Sequence, residues 1–215
     1  MKKIILPLIS LIAVMSSSAQ DIRLNPYVGY AFDDGFNVYN SANEYYHGKL
    51  KGGLQVGAGI EYLASPQYGV ELLYLYKKSE APATFKVGNL TAEKTETFDV
   101  THNWIMLCGN SHVMNHTQKV EGTGGLMLGM LISDVSSPST GKSASNTTFA
   151  WGAKLGVDIW ASHKVALKLQ SQILSSARAT GGTIYYGYWG PVAVPGYVSL
   201  WQFTLGGGLV IRLGK

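Results

Sequence analysis

Strict alternation is the property that most limits what this chain can become. In the stretch from Phe149 to Ser176, Phe149, Trp151, Ala153, Leu155, Val157 and Ile159 share one parity, and Ala150, Gly152, Lys154, Gly156, Asp158 and Trp160 share the other. After Ser162-His163-Lys164 the period resumes, with Val165, Leu167, Leu169 and Ile173 set against Ala166, Lys168, Gln170 and Gln172. Successive side chains leave a strand on opposite sides, so this is a hairpin with one apolar and one polar face. Such a hairpin buries its apolar face in a soluble sandwich, or turns that face outward into lipid.

The same period predicts six more strands: Arg23–Phe32, Gly52–Leu63, Tyr68–Lys77, Phe98–Cys108, Lys119–Ile132 and Ser199–Leu213. In the first, Leu24, Val28, Tyr30 and Phe32 oppose Arg23, Asn25, Tyr27, Gly29 and Ala31. The Phe98–Cys108 strand is the awkward one, because Trp104 and Met106 share a face with His102, a poor residue for lipid. Between the strands, the connections Asp33–Leu50, Lys78–Glu96, Ser133–Asn146 and Ala177–Val198 are long and polar or aromatic. Those at Ala64–Gln67 and Ser162–Lys164 are short, and Gly109–Gln118 is a polar turn of middle length.

Eight strands with long and short connections in turn predict an all-β, eight-stranded antiparallel up-and-down transmembrane β-barrel. Short turns lie on one side of the membrane and long loops on the other. Closure leaves no unpaired edge in lipid. Composition agrees: charged residues are only 14% and Gly numbers 26, against a quarter charged in ordinary globular chains. Tyr30, Phe32, Tyr74, Tyr76, Phe149, Trp151, Trp201 and Phe203 fall near the outer strand ends on the apolar side, as an aromatic girdle does.

The beginning of the chain fits that compartment. Met1-Lys2-Lys3, the apolar run Ile4–Met15 and the small residues Ser17-Ser18-Ala19 predict a signal peptide over residues 1–19, cut before Gln20. Residues 20–215 are then one barrel domain with both termini periplasmic. The formal net charge of +4 includes Lys2 and Lys3 and is otherwise scattered, so no nucleic-acid partner is expected. Cys108 is the single cysteine and forms no internal disulfide.

These textures, above all NPYVGYAF, GGLQVGAGIEY, GTGGLMLGM and FAWGAKLGVDIWASHKVALKLQSQ, resemble the small eight-stranded outer-membrane β-barrels, the outer-membrane-protein-A-like or porin family. The resemblance covers Asp21 to Lys215. It implies a bacterial outer-membrane protein, surrounded by lipid and inserted by the barrel insertion machinery. In place of the usual terminal aromatic residue, the chain closes on Leu213-Gly214-Lys215.

The candidate functional residues fall in two groups. Arg23, Glu61, Glu71, Lys119, Glu121, Lys154, Asp158, Lys168 and Arg212 have inward parity, most of them close to a short turn or a terminus. They predict an ion-paired network that plugs the lumen of a barrel only wide enough for side chains. Phe36, Tyr39, Tyr45, Tyr46, Tyr185, Tyr186, Tyr188 and Trp189 lie in the first and last long loops and predict an adhesive surface for an extracellular partner. The expected function is a monomeric, plugged barrel with a structural or adhesive role. The alternatives are a narrow channel or small-ligand carrier, and a lipid-modifying enzyme using His102. No cofactor and no catalytic residue is expected. Cys108, His112 and His116 have ligand-like spacing but read as a solvated turn, not a metal site. Gly141-Lys142-Ser143 lacks the upstream Gly of a phosphate loop, since position 136 is serine.

Overall fold

A computed structural model describes residues 22–41, 44–87, 94–115, 119–138, 141, 143–176, 183–187, 190–194 and 200–213. The expected signal peptide lies outside them. The strands are β1 (Ile22–Ala31), β2 (Asp34–Ser41), β3 (Glu44–Leu50), β4 (Gly53–Ser65), β5 (Tyr68–Val87) and β6 (Lys94–Met114). They continue as β7 (Val120–Ser136), β8 (Ser143–Trp160), β9 (Val165–Ser176), β10 (Thr183–Gly187), β11 (Gly190–Val194) and β12 (Leu200–Arg212).

Eight of these form a closed antiparallel barrel. The ring runs β1-β4-β5-β6-β7-β8-β9-β12 and closes between β12 and β1, where Tyr27 stands opposite Gly208 and Tyr30 opposite Leu205. The other four strands form two hairpins. β2–β3 leans on the far end of β5 through pairs from Glu44↔Val87 to Gly48↔Ala83, and β10–β11 pairs only with itself.

The three tight turns share one end of the barrel, and each is tied by a side-chain oxygen. Ser65 Oγ accepts from the N–H groups of Gln67 and Tyr68 at 3.3 and 3.2 Å. Ser162 Oγ accepts from Lys164 and Val165 at 3.3 and 3.1 Å. Asn115 Oδ1 accepts from Lys119 and Val120, both at 3.2 Å. Local oxygen acceptors of this kind favour turns over continued strand.

Burial is inverted relative to a soluble protein. Leu126 is 73% exposed, Leu155 68% and Leu54 63%, while Glu61, Glu71, Glu121 and Asp158 are buried. Every residue of the expected girdle is exposed on the outer wall. Phe32 stacks on Phe203 with centroids 5.6 Å apart, and Trp151 meets Trp201 edge-on at 5.3 Å. The polar Asn103 at this level is satisfied by the Tyr74 hydroxyl, which donates to its Oδ1 at 2.7 Å.

Expectations about the strand ends and about β6 need correction. The segments read as loops over Asp33–Leu50, Lys78–Glu96 and Ser133–Asn146 and as a turn over Gly109–Gln118 are largely strand: β2 and β3 fill the first, β5 and β6 stay paired out to Phe85↔Lys94, β7 and β8 to Ser136↔Ser143, and β6 runs on to Met114. A hairpin that projects past the aromatic girdle carries no apolar outer face, so its alternation lacks the mark by which the strands were recognised. Secondly, Trp104, Met106 and His102 face inward and are buried. With Leu73, Leu75, Met127, Leu131 and Leu174 the first two make an apolar cluster inside the tube. Here the larger apolar residues of β6 sit inside, and Ile105 and Leu107 take the wall.

Candidate functional site

The lower lumen, nearest the tight turns, is filled by charge. Register sets Glu61 beside both Glu71 and Arg23, and sets Arg23 beside Arg212. Two buried carboxylates side by side need donors, and the neighbouring strands supply them. Glu61 Oε1 accepts from Asn110 Nδ2 at 2.5 Å and lies 2.9 Å from His112 Nε2. Glu71 accepts from Asn25 Nδ2 at 2.9 Å and from Asn110 Nδ2 at 3.1 Å, and it is ion-paired with Lys154. Glu121 Oε1 accepts from Arg23 Nη1 at 2.7 Å and faces His112 Nδ1 at 2.7 Å. Its Oε2 takes the Trp160 indole N–H at 2.8 Å.

His112 therefore has a carboxylate oxygen at each ring nitrogen, and only the doubly protonated ring donates to both. On that reading, Arg23, His112 and Lys154 balance the three glutamates. Glycine makes the room: a Cβ at Gly59 would land in the Glu71 carboxylate, and one at Gly125 on Asn110.

A satellite pair joins Lys168 to Asp158 at 3.1 Å. Arg212 lies over the Trp160 ring, 3.9 Å from its centroid, as a cation–π partner. Lys119 departs from the expectation. It is exposed on the bend before β7, where strand parity no longer governs direction, and its carbonyl accepts from the Trp160 N–H at 2.8 Å. Sequence reasoning missed His112, Asn25, Asn110 and Trp160. Carrying the β6 period beyond Cys108 would have found Asn110 and His112, because both keep its inward parity. His112 is committed to carboxylates, and His116 lies outside the described residues.

The aromatic loop residues fall on the outer hairpins. Phe36 and Tyr39 belong to β2 and Tyr45 and Tyr46 to β3, with Tyr39 paired to Tyr45 in register. Tyr185 and Tyr186 belong to β10. The side chains of these six lie outside the description, as do Tyr188 and Trp189 altogether. At the rim, Lys49 hydrogen-bonds Asp33 and, with the Gly52 N–H, holds its carboxyl below the ordinary carboxylate range. Lys51 does the same for Glu80, at 2.8 Å.

No protein-family model matches the chain, and no curated protein sequence matches it. Solved structures do. Neisserial surface protein A shares 13% identity and a TM-score of 0.52 over 89% of this chain and 96% of that one. The outer membrane protein OprG from Pseudomonas aeruginosa shares 12% identity and a TM-score of 0.55 over 90% and 96%. The architecture is that of the small eight-stranded outer-membrane barrels.

Proposed function

We propose that this chain is an integral outer-membrane protein of a diderm bacterium, a plugged barrel that acts through its projecting hairpins by binding or adhesion. The observation that carries this reading is the inverted burial: an apolar outer wall ringed by aromatics, around a lumen filled by ion pairs. An apolar surface of that extent is stable only in lipid. A closed barrel is the one sheet structure that satisfies its backbone there. The tight turns then face the periplasm and the hairpins face outward.

The plug argues against transport, since Glu61, Glu71 and Glu121 are buried and meet their partners across the tube at that level. Lipid chemistry at His102 is disfavoured because that ring is turned into the lumen, edge-on to Trp104 at 6.2 Å. The binding reading is supported by the aromatic residues on β2, β3 and β10. It is tested by cell fractionation with protease shaving and by hairpin deletion. The protein is expected in the outer membrane, cut only in the hairpins. Exchanging β2–β3 or β10–β11 for short turns is expected to leave a folded barrel that no longer binds cells or matrix. A barrel that binds equally well without either hairpin contradicts the reading.

A further inference from the structure

We propose that the upper lumen binds a small monovalent anion, of the halide class, on the Lys77 ammonium. Lys77 is 0% exposed, yet among the described residues its hydrogen bonding is a single long contact, Nζ donating to Gln202 Oε1 at 3.5 Å. The other buried lysines among the described residues, Lys154 and Lys168, each face a carboxylate. An ammonium carries three donors, and a buried charge with no counter-charge is costly.

The surrounding side chains add donors without adding negative charge. Gln55 pairs with Lys77 in register, Gln172 Nε2 donates to Gln55 Oε1 at 2.8 Å, and Gln170 Nε2 donates to Gln172 Oε1 at 3.0 Å. This chain of amides leaves Nε2 of Gln55, Nε2 of Gln202 and Nε1 of Trp104 buried without an acceptor. Turning an amide over changes which glutamine offers its N–H, and leaves the sum of one cation, four amides and no carboxylate unaltered. Asp33 and Asp34 at the rim act on Lys77 through their field, without a hydrogen bond or ion pair to it, and each holds another partner. Asp33 holds Lys49 and the Gly52 N–H, and Asp34 accepts from the Trp201 N–H at 3.0 Å.

The contrast with the lower lumen is what points to an anion. Six residues along β5, roughly 20 Å of strand, Glu71 sits in a balanced network. Lys77 stands opposite His102 in register, touches no carboxylate, and has the orphaned N–H donors of Gln55 and Gln202 in the same amide layer. A halide accepts from several donors at once, offers none, and cancels the ammonium charge; a water molecule does not cancel it.

The test uses the full chain refolded in detergent without chloride. Crystals soaked in sodium bromide are expected to show an anomalous peak in contact with Lys77 Nζ. In solution, bromide NMR lines are expected to broaden on adding the wild-type barrel, and to lose that excess broadening with Lys77→Met of unchanged heat-modifiable mobility. No peak at Lys77 in well-diffracting soaked crystals overturns the proposal, as does equal broadening by folded Lys77→Met. If Lys77→Met does not fold, the wild-type anomalous map decides alone.

Discussion

The lower lumen turns single residues into tests. Lys154 is the one ammonium paired with Glu71. Lys154→Met strands a buried carboxylate and is expected to cost about 3–5 kcal/mol in urea unfolding of the lipid-reconstituted barrel. Adding Glu71→Gln is expected to recover much of that loss, because it removes the charge left without a partner. An unchanged midpoint in the single variant would show that water, not protein, solvates Glu71. Glycines separate in the same way. Gly59→Ala drives a methyl into the Glu71 carboxylate and is expected to destabilise by about 1–3 kcal/mol. Gly109→Ala enters open space on the outer wall and is expected to be neutral in the same assay. At this scale parity placed Arg23, Glu61, Glu71, Glu121, Lys154, Asp158 and Lys168 on the inward side, where they are buried, and misplaced Lys119. The Asn, His and Trp donors were not legible, because neutral residues leave no mark on a charge pattern and His112 looked like part of a turn.

Elements obey the alternation throughout the apolar wall. On β7 and β8, Leu126, Leu128, Leu155 and Val157 are exposed and Glu121, Met127, Lys154 and Asp158 are buried, as period 2 requires. Leu128→Arg, near mid-wall, is therefore expected to cost about 2–4 kcal/mol in the bilayer. Thr97→Arg, on the extension of β6 beyond the girdle, is expected to cost little in the same unfolding measurement. A similar penalty at both sites would mean that the girdle does not mark the edge of the membrane. Reading β5 and β6 from sequence stopped short for a related reason. Apolar residues such as Ala81, Phe98 and Val100 turn inward there while the outer positions are polar, a pattern that sequence alone does not separate from a loop. Likewise Trp104 and Met106 were read with His102 on the lipid side, whereas all three face the lumen and Ile105 and Leu107 take the wall.

For the whole molecule, closure and inversion come together. A sheet closed from β12 to β1 leaves no barrel edge, and its outer wall is then the only place for so many exposed apolar side chains. The plugged lumen leads to a further expectation: the wild-type barrel in planar bilayers shows no steady conductance, and stable open-channel steps would count against the plug. The claim on which the rest depends is that the oily faces meet lipid and not one another. Methyl-labelled protein in lipid nanodiscs tests it with native side chains, by cross-relaxation between acyl chains and leucine and valine methyls. The account expects strong transfer to Leu155, Val157 and Leu169 and none to the lumen residues Leu75, Leu131 and Leu174. Transfer to that second set, with silence from the first, would contradict it.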